Sequence, residues 1–394
     1  MHRQGAMDAN YEYVSDQARF AVLCEAWSEL PAIGLDTEFI RTRTFYAKVG
    51  LLQLAAESGC FLVDPLSISD WEPFRRLLSE TQVIIHAAGE DLGLLHRLLG
   101  SVPANLFDTQ LAAAFLGAGF SLSYRDLVSR FCNVELRKAE TRSNWLQRPL
   151  SPSQLRYAAD DVRFLLELRK KLDADLRRKN AQGWFAEDCR RLREGAEQDE
   201  NPRTWLSSYL QIKDHNSLND RGLYLLQQLC HWREREIRAR DLPRNWLVED
   251  KDLSALARHL GQSESISPDT IRNAPGVNSK FAKKFASDLA AFLMKSPSDS
   301  PAPRRNERFA PLDHAQRGML KKCREAAGKE AKRIEVSPEL LCRKKQLQQI
   351  VHSHSLTGSI DWPPEMQGWR QEVLAPVLSG MLPQRERKAR SGMI

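Results

Sequence analysis

Asp36 and Glu38 interrupt a run that is otherwise apolar, IGLDTEFI, in which Ile33, Leu35 and Phe39 carry the pattern of a buried strand. Residues two apart on a strand point the same way, about 6.6 Å apart along it. Two carboxylates on one inward face repel each other unless something cationic lies between them. The alternative is an exposed edge strand with two solvated acids, and the apolar neighbours argue against it. Oxygen-only donors suit Mg²⁺ or Mn²⁺ better than zinc. The segment therefore reads as a core strand that presents a candidate metal site.

Two further segments supply acids. Asp91 lies in HAAGEDLGLL, just after Gly89 and in the first turn of an expected helix over 90–99. An acid there either stabilises the helix start through the macrodipole or ligates a metal, and the adjacent Glu90 is the better candidate for the first role. Tyr157 and Asp161 lie in RYAADDVRFLL. Four residues apart on a helix, they share a face and converge on one point. A tyrosine hydroxyl in that place can orient a water while a metal lowers its pKa. A core tyrosine beside a surface acid is the plainer alternative. Asp160 is about 100° round the helix from Asp161, so only one of the two can aim at the metals. Carboxylates on a strand and two helices are what a pair of divalent ions requires, and such a pair hydrolyses phosphodiesters. The pattern reads as a metal-dependent nuclease.

The surrounding pattern is mixed α/β. Short apolar runs at 33–39, 49–56, 60–64 and 83–86 read as strands, and 71–79, 90–99, 108–116 and 123–131 read as helices. Ser151, Pro152 and Gln154 form a helix start, and the apolar face from Leu155 to Leu176 extends that helix to about residue 179. A further helix is expected around 184–193. The first domain is placed at 1–195. Residues 210–295 and 307–385 are helix-rich without strand alternation, and the Ser- and Pro-rich stretch 296–306 reads as a linker. A faint repeat, CHWREREI against KKCREAAGKE, suggests two related helical modules strung like beads.

The formal net charge is +7, and residues 301–350 alone carry 13 Lys and Arg against 6 Asp and Glu. A basic C-terminal part beside a balanced catalytic part suggests a separate grip on a polyanion, with a solubilising surface as the alternative. Seven scattered cysteines in no CxxC spacing argue against structural zinc and suit a reducing cytoplasm. No signal-peptide pattern and no apolar run of 18 residues is present, so a cytoplasmic chain that does not engage a membrane is expected. His86 reads as a satisfied buried histidine. Arg41, Arg43 and Tyr46 are either a grip on the 3′-terminal nucleotide or a solvated loop. Trp145 and Trp205 read as packing residues.

The order DxE, then Asp, then Tyr-x₃-Asp resembles the DEDD exonucleases of the tyrosine subclass. LDTEFIRTRTFYAKVGLLQLA, HAAGEDLGLL, FDTQLAAAFLG and YAADDVRFLLEL are similar to the bacterial ribonuclease D family, over nearly the whole chain. The resemblance implies a ribonuclease H-like α/β exonuclease domain, a mixed sheet flanked by helices. Two all-α HRDC-type domains would follow, at 210–295 and 307–385. It implies a 3′–5′ exoribonuclease releasing nucleoside 5′-monophosphates from structured RNA such as tRNA precursors, working as a monomer with two divalent ions, Mg²⁺ or Mn²⁺. Asp36, Glu38 and Asp161 would ligate the tighter ion, Asp36 would bridge to the second, Asp91 would hold that second ion, and Tyr157 would position the water. The family has a small residue where this chain has Asp160, and the Tyr-x₃-Asp spacing favours Asp161. A 3′–5′ DNA exonuclease and a non-catalytic nucleic-acid-binding scaffold are the rival readings. The second would be marked by a missing acid, and none is missing.

Overall fold

The computed structural model describes residues 11–136, 143–295, 302–303 and 312–382. The expected linker 296–306 therefore lies outside the described residues except for 302 and 303. The chain divides into two compact units. The first comprises 1–40, 48–197 and 314–394, and the second 41–47 and 198–313.

The first unit is built on six strands: β1 (Tyr11–Val14), β2 (Ala32–Ile40), β3 (Lys48–Ala56), β4 (Gly59–Val63), β5 (Gln82–Ile85) and β6 (Asn105–Asp108). Their order across the sheet is β1-β4-β3-β2-β5-β6. β2 is central, antiparallel to β3 and parallel to β5, while β1 and β6 run parallel to β4 and β5 at the two edges. The four expected strands are present. β1 and β6 are additions, each four residues long and too short for alternation to declare itself.

Helices α1 (Gln17–Ser28), α2 (Glu72–Glu80), α3 (Gly89–Leu99), α4 (Thr109–Phe115), α5 (Tyr124–Cys132), α6 (Pro152–Arg163), α7 (Leu165–Arg178) and α8 (Gln182–Asp199) complete the α/β part. The expected single helix over 151–179 is in fact two. Its start is as expected, with a Ser151–Gln154 capping box. At Phe164 the backbone amide donates to the Tyr124 hydroxyl at 3.1 Å, and the axis breaks between α6 and α7. Gly34 explains how closely α7 approaches the sheet: a Cβ there would stand 3.0 Å from the Leu165 Cβ. Because 34, 36 and 38 alternate onto one face, the face carrying Asp36 and Glu38 is the one these helices cover.

The C-terminal helices, α15 (His314–Arg333), α16 (Pro338–Leu341), α17 (Lys344–Thr357) and α18 (Trp369–Ser379), belong to this same unit. That corrects the expected bead-like separation of 307–385 from the catalytic domain. Trp369, 1% exposed, stacks on Trp184 of α8 at 5.2 Å and tilts against Phe115 of α4. Arg370 grips both carboxylate oxygens of buried Asp188 at 2.5 Å, and the Trp369 indole donates to one of them. The Ser337 amide donates to the Ala114 carbonyl, and left-handed Gly117 (φ +69°) lets the Glu335 carbonyl come to where a Cβ would sit.

The second unit is all-helical: α9 (Pro202–Trp205), α10 (Asp220–Ala239), α11 (Arg244–Leu247), α12 (Asp250–Gln262), α13 (Pro268–Arg272) and α14 (Ser279–Lys295). α10 packs on α12 and α14 through Leu226, Leu229, Leu256 and Leu289. Buried Glu234 is neutralised by Arg238 and Arg244. The loop 41–47 belongs to this unit. Tyr46 donates its amide to Asp241 and its hydroxyl to Glu200, and Arg238 lies between the rings of Phe45 and Trp205. Tyr46 is thus held by packing and hydrogen bonds within this unit. Trp205 packs as expected. No helix among the described residues is long and apolar enough to cross a membrane.

Candidate active site

Three elements deliver the four acids. β2 carries Asp36 and Glu38 on one face, paired across β3 with Gln53 and Leu51, and a bulge follows at Glu38/Phe39. Between them Thr37 points the other way and donates to Asp91 at 2.5 Å. Asp91 enters from the first turn of α3 and is 7% exposed. The turn before α3 is held by Asp108, at the end of β6. Its carboxylate accepts the amides of Ala87 and Ala88 and also caps α4 through Gln110 and Leu111. α6 brings Tyr157 and Asp161, and it packs against β2, β3 and β4. Buried Trp145 flanks Tyr157, ring to ring at 6.2 Å.

The charges show that these side chains are close. Burial, reinforced by the charges of Asp91, Asp161 and Glu38, holds the Asp36 carboxyl well above the usual carboxylate range. Burial and the charges of Asp161 and Asp91 push Glu38 up to about 8. Burial raises Asp161 to about 7 against the opposing hydrogen bond from Tyr157, and raises Asp91 to about 6 against that from Thr37. Burial and the neighbouring Asp161 charge raise Tyr157, so its hydroxyl stays protonated at neutral pH. Asp160 turns elsewhere and pairs with Arg163 at 3.2 Å.

The donor chemistry fits hard divalent cations: four buried or half-buried carboxylates, of which Asp91 and Asp161 both raise Asp36 and Glu38, with Asp91 also held by a hydroxyl. Among the described residues, no three His, Cys, Asp or Glu side chains as they stand are closed tightly enough to hold one ion. The fit rests on the donors and their mutual repulsion.

Three residues were missed in the sequence. Thr37 sits within the DxE segment, between the two acids, where its spacing gives no sign of a separate task. Asp108, in FDTQ, carries an ordinary helix-cap signature that gives no hint of a second task. Tyr124 is raised well above its usual range by burial and, to a lesser degree, by Asp161 and Asp36, which places it beside the cluster. His86 is satisfied, as expected, by Thr109 at 2.9 Å, but is half-buried rather than fully buried, and desolvation lowers its pKa.

Comparisons with known proteins give the family of the chain. A family model described as a 3′-5′ exonuclease matches residues 11–177, and the HRDC domain model matches 223–293. Ribonuclease D of Pseudomonas paraeruginosa is 36% identical over 94% of this chain and 97% of its own length. The chain belongs to the ribonuclease D family. Ribonuclease D of Escherichia coli is 33% identical over 95% of this chain and 98% of its own. Its crystal structure, described as that of an exoribonuclease involved in structured RNA processing, aligns with a TM-score of 0.80 at 32% identity over 95% of this chain and 98% of that one. This chain is accordingly a hydrolase, a 3′–5′ exoribonuclease of the ribonuclease D type, with a ribonuclease H-like exonuclease domain followed by a helical HRDC region.

Proposed function

We propose that this enzyme shortens structured RNA from its 3′ end, with tRNA precursors as the substrate class, by two-metal-ion hydrolysis that releases nucleoside 5′-monophosphates. The observation that carries the reading is the convergence of Asp36, Glu38, Asp91 and Asp161 into one cluster of mutually repelling carboxylates beside Tyr157. Asp36, Glu38 and Asp161 would hold one Mg²⁺ or Mn²⁺, with Asp36 shared and Asp91 serving the second. Two such ions activate a water and stabilise the leaving 3′ oxygen. Within the chain, Tyr157 is protonated at working pH and offers its hydrogen bond to orient the attacking water. Trp145 restrains its ring, and Thr37 fixes one oxygen of Asp91. We read 210–295 and 307–385 as HRDC-type segments that follow an exonuclease domain at 1–195, and the basic stretch within 301–350 as an RNA grip.

The test incubates the pure chain with 5′-labelled, 3′-extended tRNA and with matched single-stranded DNA, with and without Mg²⁺ or Mn²⁺. A metal-dependent ladder of RNA shortened from the 3′ end, with DNA spared, is expected. Equal trimming of DNA, or cuts inside the RNA, would contradict the proposal.

A further inference from the structure

Gln53 stands on β3 directly opposite Asp36 on β2. Directly opposed residues of an antiparallel pair share a face, with Cβ atoms about 4.5–5.5 Å apart. Gln53 therefore lies on the sheet face that carries Asp36 and Glu38 and that α6 covers. It is 0% exposed, and neither its Oε1 nor its Nε2 has a hydrogen-bond partner. Native interiors keep few such groups, because each unsatisfied donor or acceptor is costly. The neighbours on its own strand, Leu51, Leu52 and Leu54, are fully buried apolar residues, so an aliphatic side chain would fill this position without that penalty. A neutral amide offers a carboxylate an N–H donor without adding charge.

We infer that Gln53 is a positioning residue of the metal centre: its Nε2–H donates to the Asp36 carboxylate when the acids hold their ions, and so fixes which oxygen of Asp36 faces them. The inference rests on the metal reading above. Ligating carboxylates are generally held by such outer partners, and losing one weakens metal affinity about 10–100-fold.

The experiment titrates the metal-free full-length chain with Mn²⁺ by calorimetry and records its thermal melt without metal, for the wild type and for Gln53→Met. Gln53→Leu replaces Gln53→Met if the latter does not fold. The expected result is a metal-free Tm that is unchanged or raised, because an unsatisfied amide is gone, together with Mn²⁺ affinity weakened about 10–100-fold. A lowered metal-free Tm with unchanged Mn²⁺ affinity would make Gln53 purely structural and overturn the proposal, as would no change in either. If the wild type itself binds no Mn²⁺, the metal reading falls and takes this inference with it. If the wild type binds Mn²⁺ and Gln53→Met binds it equally well, the Gln53 assignment alone falls.

Discussion

At the scale of single residues, Asp160 and Asp161 give the sharpest contrast. They are adjacent in sequence, yet one pairs with Arg163 and the other lies among the acids and Tyr157. Asp161→Ala should eliminate activity, whereas Asp160→Ala should keep most of it and cost no more than about 1 kcal/mol of stability, as a half-exposed ion pair does. Single-turnover rates of both variants decide the matter, and the opposite ranking would reassign the ligand. Tyr157→Phe should be milder than loss of an acid, because only the orientation of the water suffers. The raised carboxyls also predict a pH dependence. In the metal-free folded chain, Glu38 and Asp161 hold protons up to about 8 and 7, while in the unfolded chain they titrate near 4. Between those limits the folded state binds more protons, so the stability that the cluster contributes below about pH 4 is lost as pH rises towards 8. Metal-free Tm should fall across that window, and Glu38→Gln should flatten the fall, becoming relatively more stable at the alkaline end. Melts across that range check it, and parallel Tm curves for the two proteins would contradict it. The five proposed site residues were legible as candidates because spacing and apolar context mark them. Thr37, Asp108 and Tyr124 were not, because each acts on a partner between 20 and 54 residues away.

At the scale of elements, the break between α6 and α7 shows where periodicity stops being informative. The apolar face from Ala158 to Leu176 continues through Phe164 without interruption, and the residues there are all compatible with a helix. At the break the Tyr124 hydroxyl, 40 residues away, accepts the Phe164 amide. Tyr124→Phe leaves that amide without its acceptor and should cost about 1–3 kcal/mol. A denaturant melt reads this directly, and an unchanged midpoint would show that the hydroxyl does not hold the break. The capping box at Ser151 was readable for the opposite reason, since all of its partners lie within four residues. β1 and β6 escaped notice because an edge strand of four residues carries too few side chains to establish a period.

At the scale of the molecule, charge and helix content suggested a separate C-terminal module strung like a bead beside the catalytic part. The partners of Trp369 and Arg370 contradict that, because they lie on α4 and α8 of the catalytic part. Trp369→Ala should cost about 3–5 kcal/mol, as large aromatic truncations in a core do. Deleting 307–394 should lower the Tm of what remains, because it leaves Asp188 buried without Arg370 and uncovers Trp184. An unchanged Tm after deletion would restore the bead-like picture. Nothing in the sequence announced this packing, since it joins residues more than 180 apart. The central claim is that the carboxylate cluster works by holding divalent metal. The most direct test is the single-turnover hydrolysis of a 5′-labelled RNA after exhaustive chelation and again after Mg²⁺ or Mn²⁺ is restored, for the wild type and for Asp36→Asn. The account predicts no cleavage without metal, recovery in the wild type alone, and RNA binding retained by the variant. Full activity after chelation, or recovery of Asp36→Asn to the wild-type rate, would contradict it.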